Sequence, residues 1–358
     1  MDERIPITTA APLAESRVDG DGPISHPDVA EEIWQALRRK AAGERDVPPL
    51  GLVVQGGGMR GVYSMAVLAA FEEMGWTRCF DHVAGASAGA MNGAHFITGQ
   101  AGYGVETYID YLSNRKFIDF FRLRKLVDLD YMIDDLVRHV RPFNLPALLE
   151  ASTELHIALA DAEDASVHYV TNRSEDVDLW EAFRATGALP ILYNRFVKVG
   201  DRLYLDGSLS DGLPLPRLLA LGCRYIVVVL TKPLSFRSQR LSRTLRALAW
   251  WATRQYSPAL KRALFDVKLH FNRTMSVLAA PAQARVQEAV RILVIAPRSE
   301  EHMVRCVTKD PRRLRRCAWQ GRADAWQAFG QRPPATTHPF ERDQAKKGLS
   351  LYRSILCA

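Results

Sequence analysis

The sequence has few cysteines, and their positions suit neither a disulfide framework nor a metal site. The 358 residues include five of them: Cys79, Cys223, Cys306, Cys317 and Cys357. Their number is odd, they are scattered along the chain, and no two of them form a Cys-x-x-Cys pair. This pattern argues against a disulfide-stapled fold and against a structural zinc site, and it favours a reducing compartment.

The sequence also lacks the segments that direct a chain into or across a membrane. Its first residues, Met1 to Arg4, do not have the basic and then apolar layout of a signal peptide. No uncharged apolar run approaches the roughly 18–20 residues that a transmembrane helix needs. These absences predict a cytoplasmic protein, whose contact with membranes would be peripheral.

Acidic side chains are scarce in the C-terminal part of the chain. Residues 232–358 contain 25 Lys and Arg against 8 Asp and Glu, whereas residues 1–48 contain 6 against 10. This asymmetry indicates an anionic partner, either a membrane surface or a nucleic acid, unless the protein is simply rich in arginine. No nucleic-acid recognition module is present, so we expect no nucleic-acid partner.

Hydrophobic residues make up 47% of the chain, which is enough for a substantial core. Composition and periodicity predict five segments: a disordered leader (1–25), an N-terminal helix and linker (26–49), an α/β core (50–230), a helical basic part that completes the fold (231–330) and an irregular tail (331–358). Strands are predicted at 50–54, 155–160, 167–170, 196–199, 202–205, 225–230 and 291–296. Helices are predicted at 27–42, 63–74, 178–186, 241–278 with a break at Pro258, and 310–329. Residues 101–150 are expected to form one or two helices that cap the site.

The strongest local pattern is the stretch from Val83 to Ala90, which reads VAGASAGA. It follows a short apolar run and leads into small residues that suit a helix. In a Gly-x-Ser-x-Gly turn between a strand and a helix, Gly85 and Gly89 remove side chains that would clash, and the hydroxyl of Ser87 is left exposed. The N–H groups at the start of the helix would stabilise an oxyanion beside this hydroxyl.

A second glycine-rich turn, residues 56–61 (GGGMRG), joins a strand to a helix. It has the spacing of a dinucleotide fingerprint, but the next strand does not end in the acidic residue that holds a ribose. A phosphate-binding P-loop is excluded because no Gly-Lys-Ser/Thr follows. The third interpretation is an oxyanion hole, in which uncovered glycine N–H groups serve the serine about 30 residues later.

A nucleophilic serine needs a general base, and no spacing connects Ser87 to a particular histidine. The histidines considered are His82, His95, His270, His302 and His338. Asp206, at a predicted strand end and followed by glycine, is the better candidate. Its ordinary pKa of about 3.9 makes it a weak base, so burial has to raise its proton affinity.

Taken together and in this order, the glycine turn, the serine turn and the Asp-Gly-Ser stretch at 206–208 closely resemble the patatin-like phospholipase family, in its bacterial branch. The resemblance covers roughly residues 50–330. It implies a three-layer α/β/α sandwich with a mostly parallel central sheet, and a Ser–Asp dyad of Ser87 and Asp206 without histidine, metal or cofactor. The implied oxyanion hole comprises Gly56, Gly57, Gly58, Arg60 and Gly61, and the remaining motif residues are Gly85, Gly89, Gly207 and Ser208.

Two positions depart from the family pattern: Gln55 stands where many members have Asp, and Ser208 where most have Gly or Ala. Neither departure removes a catalytic group. The sequence therefore predicts a serine acyl hydrolase that acts on phospholipids or other lipid esters. An acyltransferase, a small-acyl esterase and a non-catalytic lipid-binding module remain as alternatives, and the oligomeric state stays open.

Overall fold

The computed structural model describes residues 27–122, 125–190, 192–238, 250, 253–254, 256–279, 290–299, 301 and 303–334. The predicted leader, most of the predicted tail and residues 241–249 of the predicted 241–278 helix lie outside the described residues.

Eight strands and ten α-helices account for most of the regular structure in the described part of the chain. The strands are β1 Leu50–Val54, β2 His82–Gly85, β3 Glu154–Asp161, β4 Val167–Thr171, β5 Val197–Val199, β6 Arg202–Asp206, β7 Tyr225–Val229 and β8 Arg291–Ile295. The helices are α1 Pro27–Ala41, α2 Gly61–Glu73, α3 Ala88–Ile97, α4 Ala101–Glu106, α5 Leu145–Leu149, α6 Leu179–Gly187, α7 Ser208–Asp211, α8 Leu215–Ala220, α9 Pro258–Ala279 and α10 Pro311–Ala328. Each predicted strand is confirmed to within a residue or two at its ends.

The strands form one mostly parallel sheet in the order β5-β6-β3-β2-β1-β7-β8, and β4 pairs with β3. Strands β1, β2, β3, β7 and β8 are parallel to one another, while β4, β5 and β6 are antiparallel to their neighbours. Parallel pairing requires crossover connections, which the helices supply. The expected α/β class with a mostly parallel sheet is confirmed.

Helices cover both faces of the sheet. Alternate side chains of each strand point to opposite faces, and both sets are apolar, so each face has a core of its own. Leu52, Val54 and Val83 pack with α1, α2, α3, α6 and α10 in one apolar core. Val53 and Ala84 pack with α8 and the end of α9 in the other. Strands buried on both faces read as continuous apolar runs, which explains why these strands were visible in the sequence.

The segment 101–150 differs from the prediction of one or two helices. It contains three separate helical stretches: α4 continues into a π-helix at Thr107–Tyr111, a second π-helix spans Tyr131–Val140, and α5 follows. In the first π-helix the N–H of Leu112 donates to the carbonyl of Thr107, five residues back. Sequence periodicity does not separate this hydrogen-bonding pattern from an α-helix. Such π-turns occur frequently at functional sites.

Strand β3 is longer than its neighbours and has two partners along one edge. His156 pairs with both β2 and β4, and Leu159 pairs with both β4 and β6. Strands β2 and β6 therefore share the edge opposite β4, with β2 along the first half of β3 and β6 along the second half. The turn after β2 thus lies where β6 ends. None of the helices that the structure describes is long and apolar enough to cross a bilayer.

Candidate active site

Ser87 occupies a strained turn between β2 and α3. Its backbone angles are φ 55° and ψ −135°, in the left-handed region that non-glycine residues rarely adopt. The neighbouring glycines are needed because the chain is crowded here. A Cβ on Gly89 would lie 2.1 Å from the carbonyl oxygen of Val54, and one on Gly85 would lie 2.6 Å from the carbonyl carbon of Gly89. The predicted turn between a strand and a helix, with Ser87 at its centre, is therefore present.

Thr186 supports this turn from α6. Its Oγ1 accepts a hydrogen bond from the Ser87 N–H at 2.8 Å and donates to the carbonyl oxygen of Ala158 at 2.7 Å. The side chain is fully buried. The role of this hydroxyl depends on contacts 28 and 99 residues away, which local patterns do not reveal.

Asp206 ends β6 opposite Leu159 of β3, while Gly85 pairs with Ile157 of the same strand. Ser87 and Asp206 therefore reach the same level of the sheet. The Ser208 backbone N–H donates to Asp206 Oδ1 at 2.8 Å. Burial raises the pKa of Asp206 from 3.8 to about 6, and its interactions with Ser208 and with the nearby Ser87 hydroxyl oppose that rise.

Close packing fixes Gly207, the residue after the aspartate. A Cβ there would lie 2.0 Å from the carbonyl oxygen of Ala158, which also accepts the Thr186 hydroxyl. The Ser208 N–H that donates to Asp206 belongs to the backbone, so a Gly or Ala at 208 would supply it as well. The departure from the family pattern at Ser208 adds a hydroxyl that also lowers the pKa of the aspartate, against the larger effect of burial.

The glycine turn after β1 faces the same cavity as Ser87. Gly57 (φ 141°) and Gly58 (φ 57°) adopt conformations that favour glycine. Among the described residues, the N–H groups of these two glycines donate no hydrogen bond to protein. The next N–H, of Met59, does have a partner: it donates to the carbonyl oxygen of Cys306 at 3.0 Å.

Arg60 lies beside this turn and lines the cavity. A Cβ on Gly57 would meet the guanidinium at 2.9 Å. The Arg60 Nε is buried and has no hydrogen-bond partner in the described part of the chain. Burial lowers the pKa of this arginine, because a charge in an apolar environment is poorly solvated.

Gln55 attaches the glycine turn to the end of β7. Its side-chain Oε1 accepts hydrogen bonds from the N–H of Thr231 at 2.6 Å and from its hydroxyl at 3.1 Å. The same hydroxyl lies 2.8 Å from the carbonyl oxygen of Gly56. The departure at Gln55 therefore has a structural role, which the sequence did not show because Thr231 lies 176 residues away.

No histidine of the described residues hydrogen-bonds to Ser87 or Asp206. The Nδ1 of His95 is 2.8 Å from the carbonyl oxygen of Met91, and burial lowers the pKa of His95 to about 4. His270 is exposed on α9, at the margin of the cavity. His302 and His338 lie outside the described residues.

His82 lies at the other end of β2 from Ser87. Its Nδ1 is 3.2 Å from the Nε2 of His156, and Glu154 lies close to both imidazoles. The spacing of these three side chains would suit a metal ion, but cationic groups surround them. Arg217 donates toward His156 Nδ1 at 3.5 Å, and Arg173 is 3.8 Å from Glu154. These positive charges disfavour a bound cation at this end of the sheet.

A cavity of about 470 Å³ opens over Ser87 and Asp206. This size is typical of sites for small molecules, which span about 300–1,000 Å³. Apolar side chains form most of its wall: Met91, Tyr108, Leu112, Phe117, Val127, Leu129, Met132, Val137, Phe183, Leu189 and Leu192. Polar and charged side chains line the rest of it, among them Ser87, Asp206, Arg60, Lys232, Lys268 and His270.

Residues 52–219 match the sequence model of the patatin-like phospholipase family. This chain carries a patatin-like phospholipase domain. The match includes the glycine turn, Ser87 and Asp206, and it ends within α8. Residues beyond that match also hold the glycine turn of the patatin-like domain. The Thr231 hydroxyl hydrogen-bonds to the carbonyl oxygen of Gly56, and the Cys306 carbonyl oxygen accepts from the Met59 N–H.

Two known proteins show the extent of the similarity. A region of this chain is 29% identical over 191 residues to YjjU of Escherichia coli strain K12, an uncharacterised protein. That region is 51% of this chain, and the chain spans about half of the relative's length (52%). The second is the crystal structure of VipD from Legionella pneumophila. The alignment covers 79% of this chain and 66% of the VipD chain, with 13% identity and a TM-score of 0.44.

Proposed function

We propose that this protein hydrolyses carboxylic esters of lipids, with Ser87 as nucleophile and Asp206 as general base. One observation carries the proposal: Ser87, in a strained turn, lies beside the buried Asp206 carboxylate, inside a largely apolar cavity lined by two glycines whose N–H groups donate to no protein group among the described residues. The patatin-like phospholipase domain supports the same class of reaction.

The first half of the reaction forms an acyl-enzyme. The Ser87 Oγ attacks the ester carbonyl carbon as its proton passes to Asp206. The raised pKa of this carboxyl, about 6, makes it a stronger base than an exposed aspartate while it remains mostly ionised at neutral pH. The tetrahedral intermediate then collapses, the ester bond breaks, and the departing alcohol takes the proton from Asp206.

The second half releases the acid. A water molecule attacks the acyl-enzyme carbonyl and gives its proton to Asp206. Collapse of the second tetrahedral intermediate breaks the bond to Ser87, whose oxygen recovers that proton, and the free fatty acid leaves. Both intermediates carry a negative oxygen. We assign its stabilisation to the N–H groups of Gly57 and Gly58, beside the positive charge of Arg60.

The partly buried Arg60 supports this assignment. Its Nε is removed from water without a hydrogen-bond partner among the described residues, which is unfavourable because the lost hydration is not replaced. A negatively charged oxygen in the cavity would supply the missing interaction. This interaction grows stronger as charge develops on the oxygen, which is the condition for accelerating the chemical step.

The substrate class follows from the wall of the cavity. The apolar lining extends from Ser87 to the two π-helices, which contribute Tyr108 and Met132. A hydrocarbon chain would be removed from water there, while its ester group would reach Ser87. We therefore propose lipid esters with an acyl chain as substrates; head group and chain length remain to be measured.

Intact mass spectrometry after treatment with a fluorophosphonate probe tests the proposal. We expect one covalent adduct on the wild type and none on Ser87→Ala. Ser276→Ala, which changes a serine on the exposed side of α9, serves as the matched control and should keep the adduct. A folded wild type that takes up no probe would show that Ser87 is not activated. If the adduct forms, adding a lysophospholipid acceptor to the ester assay separates hydrolysis from acyl transfer.

A further inference from the structure

Two aromatic side chains project from the protein near the cavity. Phe121 is 81% exposed and Phe120 is 55% exposed. They follow directly on residues 117–119, which pair with residues 126–128: Ile118 bridges to Val127, and the Asp128 N–H donates to the carbonyl of Phe117 at 2.8 Å. Large exposed aromatic side chains are unfavourable in water, so their position calls for an explanation.

Hydrogen bonds hold these rings in place. The Arg122 guanidinium donates to the carbonyl oxygens of Arg115 at 2.6 Å and Lys116 at 2.7 Å, and to Asp128 at 2.8 Å. The Phe121 N–H donates to Asp119 Oδ1 at 3.1 Å. These contacts fix the backbone on both sides of the rings. The exposure of the aromatic pair is thus part of the local structure.

Cationic side chains accompany the rings. The Arg115 guanidinium lies 5.6 Å from the centre of the Phe121 ring, and the Lys309 ammonium lies 5.2 Å from that of Phe120. Lys116 is also exposed. The nearby carboxylates of Asp119 and Asp128 are both engaged in the hydrogen bonds described above. We call Phe120, Phe121, Arg115, Lys116 and Lys309 the aromatic rim.

The aromatic rim is continuous with the wall of the cavity. Phe117 and Val127, in the paired residues beneath the rings, line the cavity. So does Cys306, three residues before Lys309. A surface that received the rings would therefore lie beside the route by which a lipid reaches Ser87.

We propose that the aromatic rim docks the protein on an anionic lipid bilayer. Phe120 and Phe121 enter the boundary between head groups and acyl chains, while Arg115, Lys116 and Lys309 contact lipid phosphates. Exposed aromatics combined with cations suit this interface, where one side of the contact is apolar and the other is negatively charged. The docked orientation delivers a lipid ester from the bilayer to the cavity, so the proposal rests on the proposed function.

Cosedimentation of the full chain with vesicles tests the docking. The vesicles contain phosphatidylcholine alone, or phosphatidylcholine mixed with phosphatidylglycerol, at low and high salt. The variants are the double change Phe120→Ser with Phe121→Ser, and the double change Arg115→Gln with Lys309→Gln. Val277→Ser is the control, because Val277 is a comparably exposed apolar side chain (54%) on the basic helix α9.

We expect the wild type to prefer the anionic vesicles and to lose that preference at high salt. The aromatic double variant should bind at least about tenfold more weakly to anionic vesicles. The charge variant should lose about fivefold in anionic preference for each cation removed. Val277→Ser should bind like the wild type. Equal binding by wild type and both double variants would overturn the proposal, as would a loss of binding confined to Val277→Ser.

Activity on a soluble short-chain ester distinguishes a failure of the docking proposal from a failure of the proposed function. The aromatic variant should hydrolyse that ester at the wild-type rate and lose activity only on vesicles. If the wild type does not hydrolyse the soluble ester, the proposed function fails, while the vesicle-binding result still stands on its own. Sedimentation velocity tests for a different occupant. A dimeric wild type together with a monomeric aromatic variant would mean that a second copy of the chain covers the aromatic rim, and would overturn the proposal.

Discussion

Replacing Asp206 by asparagine should make the protein more stable and inactive. Burial raises the pKa of this carboxyl from 3.8 to about 6, so its ionised form is disfavoured in the folded state. Each pKa unit corresponds to about 1.4 kcal/mol, which gives an ionisation cost of about 3 kcal/mol at neutral pH. An asparagine has the same shape, carries no charge, and can still accept the hydrogen bond from the Ser208 N–H.

The gain should be smaller than the full ionisation cost, since hydrogen bonds to a carboxylate are stronger than those to an amide. We expect Asp206→Asn to raise the free energy of unfolding by about 1–3 kcal/mol at neutral pH. The variant would then show that the aspartate is kept for catalysis at the expense of stability, a trade-off seen at many active sites.

The sign of the pH dependence makes the prediction specific. The folded-state pKa is higher than the unfolded value, so the folded protein binds more protons between pH 3.8 and about 6. Lowering the pH through this range neutralises the carboxyl and removes the ionisation cost from the wild type. The advantage of Asp206→Asn should therefore be largest at neutral pH and fade as the pH approaches about 4.

Urea unfolding followed by tryptophan fluorescence, at several pH values between about 4 and 8, measures both effects. Asp201→Asn, in the exposed turn between β5 and β6, is the matched control and should show neither the gain nor its pH dependence. The reasoning is refuted if Asp206→Asn is no more stable than the wild type at neutral pH. It is also refuted if the difference between them does not change with pH.

Three further predictions concern the same site. The kcat/KM of ester hydrolysis should increase as the pH rises through about 6, because Asp206 must be ionised to accept a proton; a pH-independent profile would contradict its role as base. Gly89→Ala should destabilise the protein by at least about 1–3 kcal/mol in urea unfolding, since its Cβ would lie 2.1 Å from the Val54 carbonyl oxygen. Thr186→Val should reduce kcat about tenfold or more and lower stability by about 1–3 kcal/mol, because the Ser87 N–H then has no acceptor; unchanged steady-state kinetics would exclude a role for Thr186 in positioning the serine.

Matched variants separate the causes in the last two cases. Gly212→Ala adds the same methyl group where its nearest neighbours would be 3.6 Å away, so it should unfold like the wild type. Thr186→Ser retains the hydroxyl and should keep most of the activity. A Gly212→Ala variant as unstable as Gly89→Ala would mean that the added methyl group alone, and not the contact with Val54, accounts for the loss.

The fold and the local form of the site could be predicted from the sequence because they depend on short patterns. Strands buried on both faces appear as apolar runs, and the turn around Ser87 requires glycines at two fixed positions. Asp206 was predicted from its place at a strand end followed by glycine. In each case the physical constraint acts within about six residues, so a single stretch of sequence carries it.

The supporting contacts of the site could not be predicted in this way. Thr186 and Thr231 are ordinary threonines in the sequence, and each acquires its role only when distant strands bring it to the serine turn or the glycine turn. The two π-helices were also missed, because their apolar periodicity resembles that of an α-helix. The roles of Ser87 and Asp206 in a reaction stay predictions until the probe experiment is done.

The shared edge of β3 has a consequence for how this site can vary between related chains. Ser87 and Asp206 are separated by 119 positions, yet one short stretch of β3 aligns both: Ile157 pairs with Gly85, two residues before Ser87, and Leu159 pairs with Asp206. Insertions in the intervening loops leave that alignment untouched, so the cavity wall can be rebuilt for different lipids. A single residue inserted between Ile157 and Leu159 would shift the pairing and turn the aspartate to the opposite face. Related chains should therefore differ freely in the length of their loops and very little in the length of this strand.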